Sequence, residues 1–385
     1  MSIQPFTIRV ADAVLEDLRR RLDAVRWPVS LDAEGWEDGT SLAFMRHLVA
    51  YWRESFDWRH QEARLNRLPH HLAVLDGAAT HFLHQPGTGP HPMPLVLTHG
   101  WPGSFMEMER LLPLLADPGA HGGDPRDAFH VVVPSLPGYG FSPAPLAPGE
   151  GSRSIAGRWR ALMTSLGYRR FAAQGGDIGA GVAMWLARLF PNELLGIHLN
   201  YVPGSFRPPL GAPEPPLTPA EEDFQRRAAA FAAEGGAYAA LQATRPQTLG
   251  FALTDSPVGL AAWMVEKFRA WSDCDGDLER CIPLDTLLTN ICLYWFNDGP
   301  AASLRLYKEN RLAPLVFPTG ERVRVPCGVA VFPRELPMPP RSWVERVFPV
   351  SRWETMPAGG HFAALEQPEQ LASEIRAFFR PLRDR

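Results

Sequence analysis

One carboxylate of this sequence stands where a sharp turn would expose it. Asp177 is at the centre of QGGDIGAG, which follows an apolar run and precedes the helical pattern GVAMWLARLF. Gly175 and Gly179 bracket it, as small residues must where a strand turns tightly into a helix. This strand–turn–helix pattern predicts a nucleophile elbow, with Asp177 as the attacking group.

An aspartate at this position favours displacement chemistry. A serine would need a base before it could attack, whereas a carboxylate is already ionised near neutral pH. Attack by a carboxylate on a saturated carbon gives an alkyl ester of the enzyme, which water must then hydrolyse. The alternative is that Asp177 only caps a helix N-terminus.

Two further residues complete a candidate triad. His361 lies in the glycine-rich segment PAGGHFAALEQPEQ after the last predicted strand, and Glu335 follows the strand in VAVFPRELP. The chain order nucleophile, acid, histidine is the order of the α/β-hydrolase fold. We therefore expect His361 to be the general base and Glu335 to orient its imidazole. Asp298 and Asp285 are alternative acids, although both fall inside a predicted insertion.

The segment HGWP, which follows the apolar run PLVLT, predicts an oxyanion hole. In this fold one backbone N–H comes from such a loop and another from the residue after the nucleophile. Trp101 and Ile178 would be these two donors.

The hydrophobic pattern indicates how these residues are positioned. Two apolar runs flank Gly77 as a hairpin, and short apolar runs then alternate with helical stretches. This pattern predicts an α/β-hydrolase fold with a mostly parallel sheet. Residues 1–70 read as a helical arm that packs on the core. The core would comprise residues 71–201 and 312–385. Residues 202–311 begin with a proline-rich stretch that suits neither a strand nor a helix interior and then read as helical, which predicts a helical lid inserted between late strands.

Composition excludes several classes of function. The formal net charge of the 385 residues is −4 and no basic run is present, so nucleic acid is not an expected partner. The four cysteines contain no CxxC pair, and we predict neither a metal site nor a cofactor. No signal peptide or apolar span is evident, which predicts a cytoplasmic protein without a membrane anchor.

The leaving group would decide what the lid must supply. A displaced halide needs only N–H donors, whereas an opening epoxide produces an alkoxide and needs an acid. A phenol can act as that acid. The insertion contains Tyr238, Tyr294 and Tyr307, and spacing alone does not choose between them.

The chain resembles the microsomal-type epoxide hydrolases nearly from end to end. The resemblance rests on HGWPGS, PSLPGYGFSP, QGGDIGAG, LLTNICLYWFND, LYKEN and GGHFAALEQPE. It implies that a small hydrophobic epoxide is converted to a vicinal diol without a cofactor, with the same triad. It also implies that Tyr238 and Tyr307 are the two lid tyrosines and that Tyr294 is a packing residue.

Two departures and two rivals accompany the resemblance. The animal enzymes carry an amino-terminal membrane anchor, which we do not expect in this protein, and many relatives have Trp where this chain has Ile178. The rivals are a haloalkane dehalogenase, which would use the same aspartate, and a non-catalytic ligand-binding homologue. The dehalogenases lack the tyrosine pair. The resemblance also suggests a homodimer, for which the sequence has no signal of its own.

Overall fold

A mixed sheet forms the centre of the computed structural model, which describes residues 2–75, 77–208, 216–297 and 299–383. The described strands run in the order β1-β2-β3-β5-β4-β6-β7-β8-β9. They are β1 Ile3–Pro5, β2 His70–Leu75, β3 Ala78–Gln85, β4 Met93–Thr98, β5 Phe129–Pro134, β6 Phe171–Gly175, β7 Leu194–Leu199, β8 Cys327–Val331 and β9 Val350–Thr355.

The sheet is parallel from β5 to β9 and antiparallel at its other edge. β4 pairs in parallel with β5 and β6, and the parallel pairing continues through β7 and β8 to β9. β1, β2, β3 and β5 pair antiparallel in that order. The mostly parallel sheet predicted from the sequence is confirmed, and so is the hairpin of β2 and β3 at Gly77.

Fifteen α-helices are described. They are α1 Asp12–Asp23, α2 Leu42–Glu54, α3 Trp58–Leu65, α4 Leu111–Ala116, α5 Ser152–Ser165, α6 Asp177–Leu189, α7 Pro219–Glu234, α8 Ala237–Thr244, α9 Pro246–Asp255, α10 Pro257–Trp271, α11 Leu284–Trp295, α12 Gly299–Leu312, α13 Arg341–Val344, α14 Ala363–Glu366 and α15 Pro368–Phe379. Short 3₁₀ helices occupy Phe105–Met108, Pro118–His121, Pro125–Asp127, Leu278–Arg280 and Arg380–Leu382.

Helices cover the parallel part of the sheet. All five residues of β6 are buried, which requires a layer on each face of that strand. α6 packs on α5 and on β4, β6 and β7, while α15 packs on α4, β7 and β8. Because the helices cover the faces of the sheet, the loops at the carboxyl ends of the parallel strands remain available to form a site.

The amino-terminal segment contributes both helices and a strand. β1 pairs with β2 at the sheet edge, although residues 1–70 were predicted to be helical. A three-residue strand is too short to show an alternating pattern, so only its pairing reveals it. The helices of the arm contact α10 and α11, and the Arg21 side chain donates to the Asp255 carbonyl oxygen at 2.6 Å.

Helices α7 to α12 form the region predicted as a lid. α12 packs on α8 and α9, and it returns the chain to the sheet at β8. Residues 209–215 of the predicted lid lie outside the described residues. None of the described helices is both long and apolar enough to cross a membrane.

Candidate active site

Asp177 begins α6 immediately after β6, and its backbone is in the left-handed region with φ of 46°. This conformation is uncommon for a residue other than glycine. Close packing of the turn explains why residue 179 is a glycine, because a Cβ there would collide with the backbone carbonyl oxygen of Thr98 at the end of β4. The turn therefore seats the helix against the sheet and lifts the Asp177 carboxylate above the strand ends.

The loop after β4 contacts the same carboxylate. The Trp101 backbone N–H donates to Asp177 Oδ1 at 2.8 Å. A Cβ on Gly100 would overlap that carboxylate, so only glycine allows the loop to come this close. Within the described residues, the Ile178 N–H makes no hydrogen bond to Asp177, so Trp101 is the predicted donor that is engaged in this resting arrangement.

His361 lies between two carboxylates. Its Nε2 is 3.5 Å from Asp177 Oδ2, and its Nδ1 is 2.6 Å from Glu335 Oε1. The His361 and Glu335 side chains are only 3% and 2% exposed, so both interactions are shielded from water. Burial alone would lower the pKa of His361, but the charges of Glu335 and Asp177 and hydrogen bonds to both raise it well above its usual range. The resting imidazole is therefore protonated.

A carboxylate that sequence reasoning missed holds the loop carrying His361. Glu366 accepts three backbone N–H groups, from Asp273 at 2.7 Å, Gly360 at 3.1 Å and Phe362 at 3.0 Å. The His361 N–H itself donates to the Trp271 carbonyl oxygen at 2.8 Å. The only sequence signal for this clamp was an acidic residue five positions after the histidine.

Tyr238 of α8 and Tyr307 of α12 line one cleft with Asp177. The Tyr238 ring stacks on Trp101 with centroids 5.3 Å apart, and the Tyr307 ring meets Trp101 edge-on at 5.9 Å. The two phenols are hydrogen-bonded to each other, and burial raises the pKa of both well above the usual range. Lys267 Nζ lies 4.6 Å from the Tyr238 ring centroid, a contact that the sequence did not indicate. Both phenols remain protonated donors near neutral pH.

The other candidates from the sequence lie elsewhere. The Tyr294 hydroxyl donates to the Gly103 carbonyl oxygen at 2.6 Å, and its side chain does not line this cleft. Asp285 accepts from the Tyr51 hydroxyl at 2.9 Å and from Gln61 at 3.2 Å, which ties it to the arm and not to His361. Asp298 lies outside the described residues. Among the acids considered, the structure therefore brings Glu335 to His361.

Metal-binding geometry is not found in the part of the chain that the structure describes. Within it, no three His, Cys, Asp or Glu side chains are grouped closely enough to hold a metal ion. The arrangement at Asp177 instead combines a carboxylate at the elbow, a backbone donor to one of its oxygens, a histidine paired with an acid, and two phenolic donors. Such a set can alkylate its carboxylate and then hydrolyse the resulting ester.

Two family models match the chain. The model described as epoxide hydrolase N terminus matches residues 3–108, and that of the alpha/beta hydrolase fold matches residues 93–262. The chain is 48% identical over 382 residues to the Stigmatella aurantiaca protein named "Putative epoxide hydrolase", covering 99% of this chain and 86% of that protein. It is 38% identical to "Epoxide hydrolase 1" of Oryctolagus cuniculus, covering 98% and 88% of the two chains. The solved Aspergillus niger epoxide hydrolase superposes with a TM-score of 0.86 at 32% identity, covering 99% and 97%.

Proposed function

This chain belongs to the epoxide hydrolase family and hydrolyses epoxides, and we propose that it does so through a covalent ester between Asp177 and an epoxide carbon. The observation that carries this proposal is the position of the Asp177 carboxylate. One of its oxygens accepts from the Trp101 N–H and the other faces His361, while the same side chain lines the cleft of the two phenols. A carboxylate in that position has a backbone N–H to stabilise one oxygen, and it can reach an epoxide that the two phenols hold in the cleft.

In the first step, the Tyr238 and Tyr307 hydroxyls donate to the epoxide oxygen. Asp177 Oδ2 attacks an epoxide carbon, the carbon–oxygen bond of the ring breaks, and a phenol supplies the proton for the new hydroxyl group. Oδ1 stays with the Trp101 N–H and becomes the ester carbonyl oxygen. The phenols suit this role because burial keeps the pKa of each well above its usual range, so neither loses its proton before substrate arrives.

In the second step, water hydrolyses the ester with His361 as the base. Alkylation removes the negative charge of Asp177, which is one of the interactions that raise the pKa of His361 in the resting protein. With that charge gone the imidazole passes its proton to the phenolate left by the first step, and the neutral ring can then accept a proton from water. Glu335 at 2.6 Å stabilises the imidazolium that forms. The base is therefore released only when there is an ester to hydrolyse.

The cleft supports an apolar substrate. Its volume is about 450 Å³, and apolar side chains of the lid and of the loop after β8 form part of its lining. They are Ala228, Phe231, Ala232, Ala239, Leu336 and Pro337. We propose that α8 and α12 act as the lid that brings the phenols to the epoxide, and that the substrate is a small hydrophobic epoxide.

Oxygen labelling tests the covalent ester. Excess enzyme is mixed with styrene oxide in water enriched in heavy oxygen, so that each enzyme molecule turns over at most once. We expect the label in the peptide that contains Asp177 and an almost unlabelled diol, because the first oxygen transferred to carbon comes from the carboxylate. Mass spectrometry of the digested protein and of the diol measures both.

Asp177→Asn is the matched control, since it keeps the size of the side chain and should neither turn over nor take up label. Label in the diol on the first turnover would contradict the ester route. Water would then attack the epoxide directly, and Asp177 would act only through its charge.

A further inference from the structure

Asp177 separates two spaces of different character. On one side is the cleft with the two phenols. On the other is a small cavity of about 20 Å³, lined among others by His361, His99 and Glu107. A cavity of roughly 10–15 Å³ is large enough to hold one water molecule. The second space is therefore the size of a single water, and it adjoins both the nucleophile and the base.

The wall of this cavity carries hydrogen-bonding groups that the proposed mechanism does not use. Gln174 Oε1 is buried and has no hydrogen-bond partner among the described residues, while its Nε2 donates to Asn200 Oδ1 at 2.7 Å. Buried polar atoms are rarely left unsatisfied in native proteins. A carbonyl oxygen of this kind lining a one-water cavity indicates that a hydrogen-bond donor resides there.

Glu107 is the second such group. It belongs to the 3₁₀ helix that follows the HGWPGS loop, and its carboxyl group lies over Gly103. Burial raises the pKa of Glu107 to about 8; the charge of His361 opposes this rise and that of Asp177 adds to it. A carboxyl group in this position is an acceptor for water in either protonation state.

We propose that this cavity is the resident site of the water that hydrolyses the Asp177 ester, and that Glu107 orients that water. The inference rests on the proposed covalent ester. While the ester exists its alkyl group fills the cleft, so water has to come from the other side of the carboxylate. The cavity supplies it there, next to His361 and opposite the phenols.

The step can be written with its atoms balanced. In the resting protein the protonated His361 donates to this water, whose two O–H groups donate to Gln174 Oε1 and to the Glu107 carboxyl. Once His361 is neutral, the first O–H turns from Gln174 to Nε2 of His361, while the second stays on Glu107 and directs the oxygen lone pair at Cγ of Asp177. The bond from oxygen to Cγ forms as His361 takes the first proton, and the negative charge moves to Oδ1, where the Trp101 N–H stabilises it. The bond from Cγ to the diol oxygen then breaks, and that oxygen receives the proton held by His361. The second water proton stays on the new Asp177 carboxyl group and passes to the neutral His361, which restores the resting imidazolium and carboxylate.

Glu107→Met tests the role of this carboxyl, because methionine matches glutamate in length and removes both acceptor oxygens. We expect alkylation by styrene oxide to stay within about twofold of the wild-type rate, since Glu107 does not line the cleft. Hydrolysis of the ester should slow by about a hundredfold, the lower end of what a positioned proton acceptor contributes. Single-turnover rapid quench with intact-protein mass spectrometry follows both rates as the appearance and decay of an adduct.

Glu107→Gln is the second variant, and it keeps the fold and one acceptor oxygen. We expect its ester hydrolysis to slow by about threefold to tenfold, the effect of one weakened hydrogen bond, with alkylation unchanged. Glu109→Gln is the matched control on the same turn, because Glu109 pairs with Arg64 and does not line the cavity. It should behave as wild type. A role in packing alone would slow both steps or neither.

The outcomes separate this inference from the function on which it rests. His361→Gln should accumulate the adduct whatever Glu107 does. If it does, and ester hydrolysis in Glu107→Gln and in any folded Glu107→Met equals that of wild type, the water site is overturned and the covalent mechanism stands. If His361→Gln forms no adduct while it still binds the epoxide, the ester itself is wrong and the water site falls with it.

Discussion

At the residue scale, the proposed nucleophile Asp177 has an unfavourable backbone conformation, with φ of 46°. A non-glycine residue in the left-handed region costs on the order of 1–3 kcal/mol, which the surrounding structure must offset. Here the Trp101 N–H bond to Asp177 Oδ1 and the close approach of His361 to Oδ2 hold the carboxylate. These contacts fix both oxygens, so that Oδ1 faces the Trp101 N–H and Oδ2 faces His361.

The phenols give the first residue-scale prediction. Tyr238→Phe and Tyr307→Phe should each slow ring opening, and the double variant should lose about a hundredfold to ten-thousandfold, as expected when general-acid assistance is removed. Each single variant keeps one donor in the cleft and should therefore retain part of the rate. The measurement is the rate of adduct formation in a single turnover.

Tyr294→Phe is the informative comparison for that pair. Its hydroxyl donates to the Gly103 carbonyl oxygen, not to the cleft, so it should slow ring opening less than either single variant. Full activity in the Tyr238 and Tyr307 double variant would mean that the acid is another group or that the reaction needs none.

At the scale of elements, the elbow requires that α6 and β4 approach each other closely. Gly179 lies against the last residue of β4, with no room for a side chain. The same approach brings the loop of Trp101 beside Asp177, so the packing of one helix on one strand sets the distance between nucleophile and donor. A substitution at this contact should therefore lower both the free energy of unfolding and the turnover rate.

Gly179→Ala tests that contact. The added methyl group meets backbone, which cannot rotate away, so we expect a loss of about 1–3 kcal/mol in the free energy of unfolding, as for overpacked cores. Turnover should fall as well, because Asp177 moves relative to Trp101. Urea unfolding and steady-state turnover are the measurements.

Gly157→Ala in α5 is its control. A Cβ there meets nothing within 4 Å, and alanine is favoured over glycine in a helix by about 1 kcal/mol. It should therefore stabilise the protein slightly and leave turnover alone. If the two alanine variants unfold at the same urea concentration, close packing at Gly179 does not explain the glycine.

At the scale of the whole molecule, the core contains neutral histidines, of which His99 lines the small cavity beside Asp177 and the others lie outside the site. His70 and His81 are joined ring to ring at 2.8 Å, and His81 continues to the Ser135 hydroxyl at 2.8 Å. Burial lowers the pKa of His70 and His99 to about 4, and that of His198 to about 3. These rings are compatible with the fold only while they carry no charge.

Acid should therefore destabilise the fold in a defined pH window. Unfolded histidines bind protons near pH 6.5, whereas these folded ones resist protonation down to about pH 4. The unfolded state binds more protons between those values, so stability is full above pH 6.5 and falls as pH decreases. Each such histidine contributes a slope of up to about 1.4 kcal/mol per pH unit. Urea unfolding at several pH values measures the sum.

His198 offers a variant for this prediction. Both of its ring nitrogens are buried without a hydrogen-bond partner in the described parts of the chain. His198→Met should flatten the pH dependence by about one proton and raise stability near neutral pH, because the unsatisfied ring is removed. The exposed His91, replaced by Gln, should leave the slope unchanged. An equal slope in His198→Met and wild type would contradict the assignment.

The sequence by itself determined the class of the fold and predicted most of the chemistry that we propose. The elbow, the oxyanion loop and the order of acid and histidine are local patterns, because each depends on small residues or turns within a few positions of one another. The alternation of apolar runs with helical stretches likewise predicted the mostly parallel sheet. Such features can be predicted from a single sequence because the local backbone geometry requires particular residues at nearby positions.

The tertiary structure decided which distant residues meet. Pairing alone turned Ile3–Pro5 into a strand, and packing of α8 and α12 on Trp101 brought Tyr238 and Tyr307 together while Tyr294 turned to the Gly103 carbonyl oxygen. The cavity at Glu107 has no sequence signature either, because its walls come from segments far apart in the chain. Spacing along a sequence does not encode contacts of this kind. They depend on how helices and strands pack, and packing is settled only when the whole chain has folded.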